Sequence, residues 1–379
     1  MARDSSIDAL RGLAIVLVVA GHAIVLSAVV HQGGPGFVHL DSNNWIPLAS
    51  ATNPFLSVFY SFHMPLFAFV SGLVMWPPKN TPLGKRILGR ARGLIVPYIA
   101  WFAILFVIAQ RSLSSASAGF GPALLGAVVG QGGLWYLYSL FLCSVVVMCV
   151  AQLPGWRLIL AASAAVAAVL LTEKLFPLPG VLYLSDTLWI YPFVVLGYLV
   201  GSIKQQVLRF RWPIAVVGLL ALGPLLWLRY PAHVSSLQPI NRLAIAMNSA
   251  GVRGGFVLSL LLPFVCASAA IMALFALYAG RGGWAIDVQA WFGRKSLGIY
   301  ATHGVLILWM VAAGIRNALV LTVLALGASA LVTMGLERIP MVDTILLGRR
   351  GAPGPGQPNP ADLTSGSSPD TNDARSPRS

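Results

Sequence analysis

The 379-residue chain is 57% hydrophobic and only 9% charged, against about 25% charged residues in an average soluble domain. With a mean hydropathy of +0.80, that composition excludes a soluble globular class and points to an all-α, polytopic membrane helix bundle. The net charge of +14 is no nucleic-acid signature, because no soluble face interleaves basic residues with exposed aromatics. Positive-inside bias and contact with anionic lipid account for it.

Apolar stretches long enough to cross a bilayer predict about ten transmembrane helices, at 7–30, 55–76, 94–110, 133–151, 157–172, 187–203, 213–228, 255–279, 296–314 and 318–336. The fifth and seventh are short. With both termini in the cytoplasm, 19 of the 25 Lys and Arg residues fall on the inner side, so the positive-inside rule favours this orientation. The largest inner cluster is Lys79, Lys85, Arg86, Arg90 and Arg92, expected on the loop between spans two and three. Cys143, Cys149 and Cys266 fall within spans, form no C-x-x-C pair and read as small packing residues. The first span has Arg11 inside it and no clean small-x-small site after it, so it is expected to remain in the mature protein rather than act as a signal peptide. The chain divides into a membrane domain, 1–348, and a cytoplasmic tail, 349–379. The tail is dense in Pro, Gly, Ser and Asp, and its composition predicts disorder.

Within the first span, Asp8, Arg11 and His22 interrupt an apolar run. Ionisable groups at membrane depth are expensive and normally face a protein-lined cavity. Eleven residues at about 100° each return Arg11 and His22 to one helical face, about 16 Å apart, with Asp8 one turn from Arg11. Asp8 is expected to pair with Arg11 and offset its burial. His63, in the second span, lies at the same expected depth as His22, about 12 Å below the outer boundary, and Pro65 beside it removes a backbone hydrogen bond. The pair reads either as two walls of one pocket or as separate interhelical hydrogen bonds.

Further strings complete a pattern. Phe62-His63-Met64-Pro65-Leu66-Phe67 is followed by Ser71-Gly72, Gly133-Leu134-Trp135-Tyr136-Leu137 begins the fourth span, and Phe292-Gly293-Arg294-Lys295-Ser296-Leu297-Gly298-Ile299-Tyr300 precedes His303. In this order, after Asp8-Ala9-Leu10-Arg11 and Gly21-His22, they resemble the acyltransferase family 3 membrane proteins, and most closely the branch with fucose 4-O-acetylase-like proteins. The resemblance covers residues 4 to about 336. It implies a ten-helix domain that moves acyl groups from cytoplasmic acyl-CoA, most simply acetyl-CoA, to hydroxyls on exported glycans or glycolipids at the cell (plasma or inner) membrane. No bound cofactor is implied, and neither a metal site nor a nucleic-acid partner.

By that resemblance Arg11 helps hold the CoA donor and His22 activates the acceptor hydroxyl; the matched depth makes His63 the expected second catalytic wall. Many members carry Arg-x-x-Arg on the second inner loop, whereas here Arg86 and Arg90 are four apart. Arg86, Arg90, Arg92, Arg294 and Lys295 are the expected donor-binding cations, since guanidinium forks suit phosphate oxygens. Ordinary positive-inside topology explains each singly. Neutral imidazole can accept the hydroxyl proton. Trp135 and Tyr136 read as an aromatic belt or as a sugar-stacking platform. His303 reads as a donor-arm contact or as a brace within the bundle. The competing function is a transporter of an acyl group or lipid-linked sugar, because intramembrane Arg, His and Pro also mark translocation paths.

Overall fold

The computed structural model describes residues 4–31, 54–76, 81–112, 124–126, 134–151, 164, 183–229 and 255–349. The described residues are helical with short turns and contain no strand. In chain order the helices are α1 (Ser5–His31), α2 (Pro54–Leu73), α3 (Leu83–Ser112), α4 (Trp135–Val150), α5 (Leu184–Ser202), α6 (Lys204–Arg209), α7 (Arg211–Arg229), α8 (Gly255–Tyr278), α9 (Trp284–Arg294), α10 (Ser296–Ala312), α11 (Ala318–Glu337) and α12 (Pro340–Leu347). Nine of the ten expected spans coincide with helices. The fifth, 157–172, and the tail beyond 349 lie outside the described residues.

Five helices are long and apolar enough to cross a membrane, within α1, α3, α7, α8 and α11; α9 and α10, bent by 75° at their break, form a sixth candidate as a pair. α2, α4 and α5 contribute shorter apolar helices. The protein is a multi-pass membrane protein. Its helices differ sharply in where their apolar surface goes. The apolar window of α1 is 67% buried within the protein, that of α7 only 11%. α1 is therefore the hub, packed by α2, α8, α9, α10 and α11. α7 presents Val216, Val217, Leu219 and Leu220 outward, as a lipid-facing helix does.

Two contacts set the positions that matter for the site. Lipid removes most of the hydrophobic drive for helix association, so close van der Waals approach over small residues takes its place. A Cβ on Gly12 would overlap the carbonyl of Gln289, and one on Gly293 the carbonyl of Asp8. α9 thus lies backbone to backbone across the start of α1. Gly72 and Gly197 do the same for α2 and α5, each facing a carbonyl of the other helix, at Val194 and Phe69.

The segment expected as an inner loop before residue 94 is helix: α3 starts at Leu83, so Lys85, Arg86, Arg90 and Arg92 stand on a helix with defined faces. The segment 284–294, which falls between the expected spans 255–279 and 296–314, is α9. Its sequence WAIDVQAWFGR is amphipathic and buries Ala290 and Gly293, a pattern that an apolar-run criterion passes over.

At the far end of the bundle, α12 packs on α3, where Trp101 Nε1 donates to the Leu346 carbonyl at 2.9 Å. Arg349, assigned to the tail from sequence, is tied into this end. It donates to Glu337 at 2.7 Å and to the Arg294 carbonyl at 3.1 Å.

Candidate active site

α1, α2 and α10 each bring one histidine to a single cavity of about 520 Å³. Its walls include His22, His63 and His303, with Tyr60, Trp135, Asp186, Trp189 and Tyr300. His22 and His303 meet edge to face with ring centroids 5.0 Å apart, and Tyr60 meets His63 at 4.8 Å. Gly21 makes this arrangement possible, since a Cβ there would sit 2.8 Å from the Tyr60 ring. The Gly21-His22 pair is therefore one device: the glycine admits Tyr60, and Tyr60 meets His63 edge to face.

All three imidazoles are oriented by their own helices. His22 Nδ1 lies 2.9 Å from the Val18 carbonyl, and His63 Nδ1 lies 2.7 Å from that of Phe59. His303 Nδ1 is 3.0 Å from the carbonyl of Ile299 and 2.8 Å from that of Tyr300. A carbonyl only accepts, so Nδ1 must be the donor and carry the hydrogen. In the neutral ring this leaves Nε2 of each histidine with the lone pair, the form a general base requires. Nε2 of His303 is buried without a hydrogen-bond partner among the described residues. Despite three nearby imidazoles, no group of three His, Cys, Asp or Glu side chains among the described residues is arranged to hold a metal ion.

A second cavity of about 540 Å³ is lined by Lys85, Arg86 and Arg90 with Val74, Met75 and Met148. Arg86 and Arg90, one turn apart, share a face of α3, while Arg92 is exposed and does not line this cavity. Arg90 interacts electrostatically with Arg11 and Arg86. Arg11 in turn lies 3.7 Å from Asp8, whose carboxylate is buried, so the expected Asp8–Arg11 pair is present. Arg11 thus belongs to the level of the basic cavity, and His22 lies about 16 Å along the same helix.

Tyr136 stands between these levels. It is buried, so its ring is inside the protein and not at a lipid surface. Its ring centroid is 6.1 Å from that of Tyr300 in the histidine cavity, and it interacts electrostatically with Arg11 and Arg90 on the other side. Trp135, its neighbour, lines the histidine cavity.

The remaining expected cations are placed elsewhere. Lys295 reaches Glu337 at 2.5 Å and lies over the Trp291 ring. Arg294 is exposed. Neither lines the basic cavity. Among the polar and aromatic lining residues, Tyr60, Asp186 and Trp189 are not singled out by the sequence, and Tyr300 enters it only as the end of the Phe292–Tyr300 string. Asp186 had a detectable signal, an acidic residue immediately before an aromatic-rich apolar span in LSDTLWIYP. Placing the span start at 187 left it one residue outside.

A family model described as an acyltransferase domain, the acyltransferase 3 model, matches residues 4–338. The chain belongs to acyltransferase family 3. Among curated relatives it is similar to the nodulation protein NolL of Sinorhizobium fredii (strain NGR234), 30% identical over 213 residues that cover 54% of this chain and 50% of that protein. It is also similar to the nodulation protein NolL of Mesorhizobium japonicum, 25% identical over 229 residues, 57% of this chain and 53% of that protein. The chain spans about half the length of the curated relatives it matches. No solved structure matches it. The family match covers α1 through α11, and so His22, His63, His303, Arg11, Arg86, Arg90, Arg92 and Arg294.

Proposed function

We propose that the protein is a membrane O-acyltransferase that moves an acyl group, most simply acetyl, from cytoplasmic acyl-CoA to a hydroxyl of a cell-envelope glycan or glycolipid. The observation that carries this reading is the oriented His22 in a cavity about 16 Å along α1 from the Arg11 level. In this reading Arg86 and Arg90, with Arg11 and Lys85 near them, hold the charged head of the donor at the basic cavity. The flexible arm then passes Tyr136 and presents the thioester to His22. His22 Nε2 takes the proton of the acceptor hydroxyl as its oxygen attacks the thioester carbonyl. The carbon–sulfur bond breaks, the oxygen ester forms, and the imidazolium returns its proton to the departing thiolate. His63 and His303 bracket the reacting centre.

The test is the purified protein in liposomes with labelled acetyl-CoA and a panel of glycosides. Label should appear in an ester on the sugar with release of one free thiol per transfer, and His22→Ala should cut the rate of both by about 10²–10⁴-fold. Transport without acyl chemistry gives the opposite pattern: flux of label across the vesicle wall, no ester, and no thiol release.

A further inference from the structure

The histidine cavity carries a feature that proton transfer does not use. Trp189 and Asp186 lie three residues apart on α5, so they project from one side of that helix, and Trp135 enters from the start of α4. Indole rings offer flat apolar faces against which the C–H face of a pyranose packs. An unpaired carboxylate can accept hydrogen bonds from two hydroxyls. Asp186 makes no hydrogen bond or ion pair with any described residue, and it opens onto the cavity. Among the described residues no Lys or Arg lines this cavity, while the basic cavity has three. A second anion placed beside Asp186 would meet a like charge, with no Lys or Arg among the described lining residues to offset it. The glycine contact between α2 and α5, at Gly72 and Gly197, ties the helix bearing Asp186 and Trp189 to the helix bearing His63.

We propose that Asp186, Trp189 and Trp135 form the subsite for the acceptor's reacting sugar, and that this subsite takes a hydroxyl-rich pyranose without negative charge in preference to a uronic or phosphorylated one. The subsite rests on the acyltransferase reading for its role in turnover, yet sugar binding is measurable without turnover.

The experiment therefore has two readouts. Saturation-transfer NMR on the detergent-solubilised full chain compares matched neutral, amino and uronic methyl glycosides. The liposome assay with labelled acetyl-CoA gives acceptor and donor KM separately. The wild type should bind and use the neutral and amino glycosides at least about tenfold better than the uronoside, the effect of one charge-assisted contact. Asp186→Asn should raise the acceptor KM about tenfold and narrow the preference against the uronoside, with donor KM unchanged. Trp189→Ala should weaken glycoside binding, and Trp189→Phe, which keeps a flat face, should recover part of it. An unchanged donor KM shows that each variant is folded. If Asp186→Asn leaves both the acceptor KM and the neutral-to-uronic ratio at wild-type values, the subsite is wrong. Glycoside binding that depends on Asp186 without any acyl transfer upholds the subsite and overturns the enzyme reading.

Discussion

The two cavities that flank Tyr136 have nearly equal volumes, about 520 and 540 Å³, and opposite polar linings. One carries Lys85, Arg86 and Arg90; the other carries three histidines, a carboxylate and two tryptophans, with no described Lys or Arg. In the histidine cavity each imidazole is fixed by its own helix carbonyl, so position and tautomer are set before any substrate arrives. In the basic cavity the three cations stand together near the start of α3 and supply positive charge. The lesson is a division of labour along α1: fixed nitrogen at one level, positive charge at the other, about 16 Å apart.

The largest expected effect is at His22. Removing a general base typically costs 10²–10⁴-fold in rate, so His22→Ala should lose turnover by roughly that factor while binding donor as the wild type does. Equilibrium binding of CoA alongside the transfer assay checks both halves. At the other cavity, Arg86→Ala and Arg90→Ala should each raise donor KM by about 10–100-fold, since charge-assisted hydrogen bonds contribute about 1.5–3 kcal/mol each, with kcat changed less. Arg92→Ala, one face away, should leave donor KM within about twofold, because an exposed cation outside the cavity offers no fixed contact. A larger effect from Arg92 than from Arg90 would dissolve the distinction between the two faces of α3.

Smaller effects test the frame that holds the two levels. A valine in place of Gly72 must push α2 from α5, and overpacking of this kind costs about 1–3 kcal/mol. Thermal unfolding in detergent should fall accordingly, with acceptor KM affected more than donor KM. The smallest expected change is at Asp4, which receives Lys204 at 2.6 Å and also bonds Ser6. Burial pushes the Asp4 carboxyl up, but the hydrogen bonds from Lys204 and Ser6 together outweigh it and hold the group below its ordinary value. A depressed carboxylate contributes stability above its unfolded pKa and loses it as pH falls through the folded one. Asp4→Asn should therefore cost at most about 1 kcal/mol near neutrality, and the gap from wild type should close at acid pH.

Membrane class and most helix positions were legible in the sequence because apolar length is a local property. The stripe of Asp8, Arg11 and His22 was legible for the same reason, since helical spacing alone puts these residues on one face. The shared depth of His22 and His63 followed from topology, and both line one cavity. What escaped depends on contacts between distant segments. Tyr60 enters because Gly21 leaves room for it, and Tyr300 sits against Tyr136 only after α10 turns by 75° from α9. Lys295 and Arg90 look alike as inner cations, yet Lys295 is joined to Glu337, 42 residues away, and Arg90 lines a cavity. Charge was visible in the sequence; whether a charge was already partnered was not.

The most direct measurement of the division of labour is one assay in liposomes that returns kcat and donor KM for His22→Ala and for the Arg86→Ala, Arg90→Ala double variant. The expected result is a split: kcat falls by 10²–10⁴-fold with donor KM kept for His22→Ala, and donor KM rises with kcat largely kept for the double variant. Retention of wild-type kcat by His22→Ala, or an unchanged donor KM in the double variant, would contradict it.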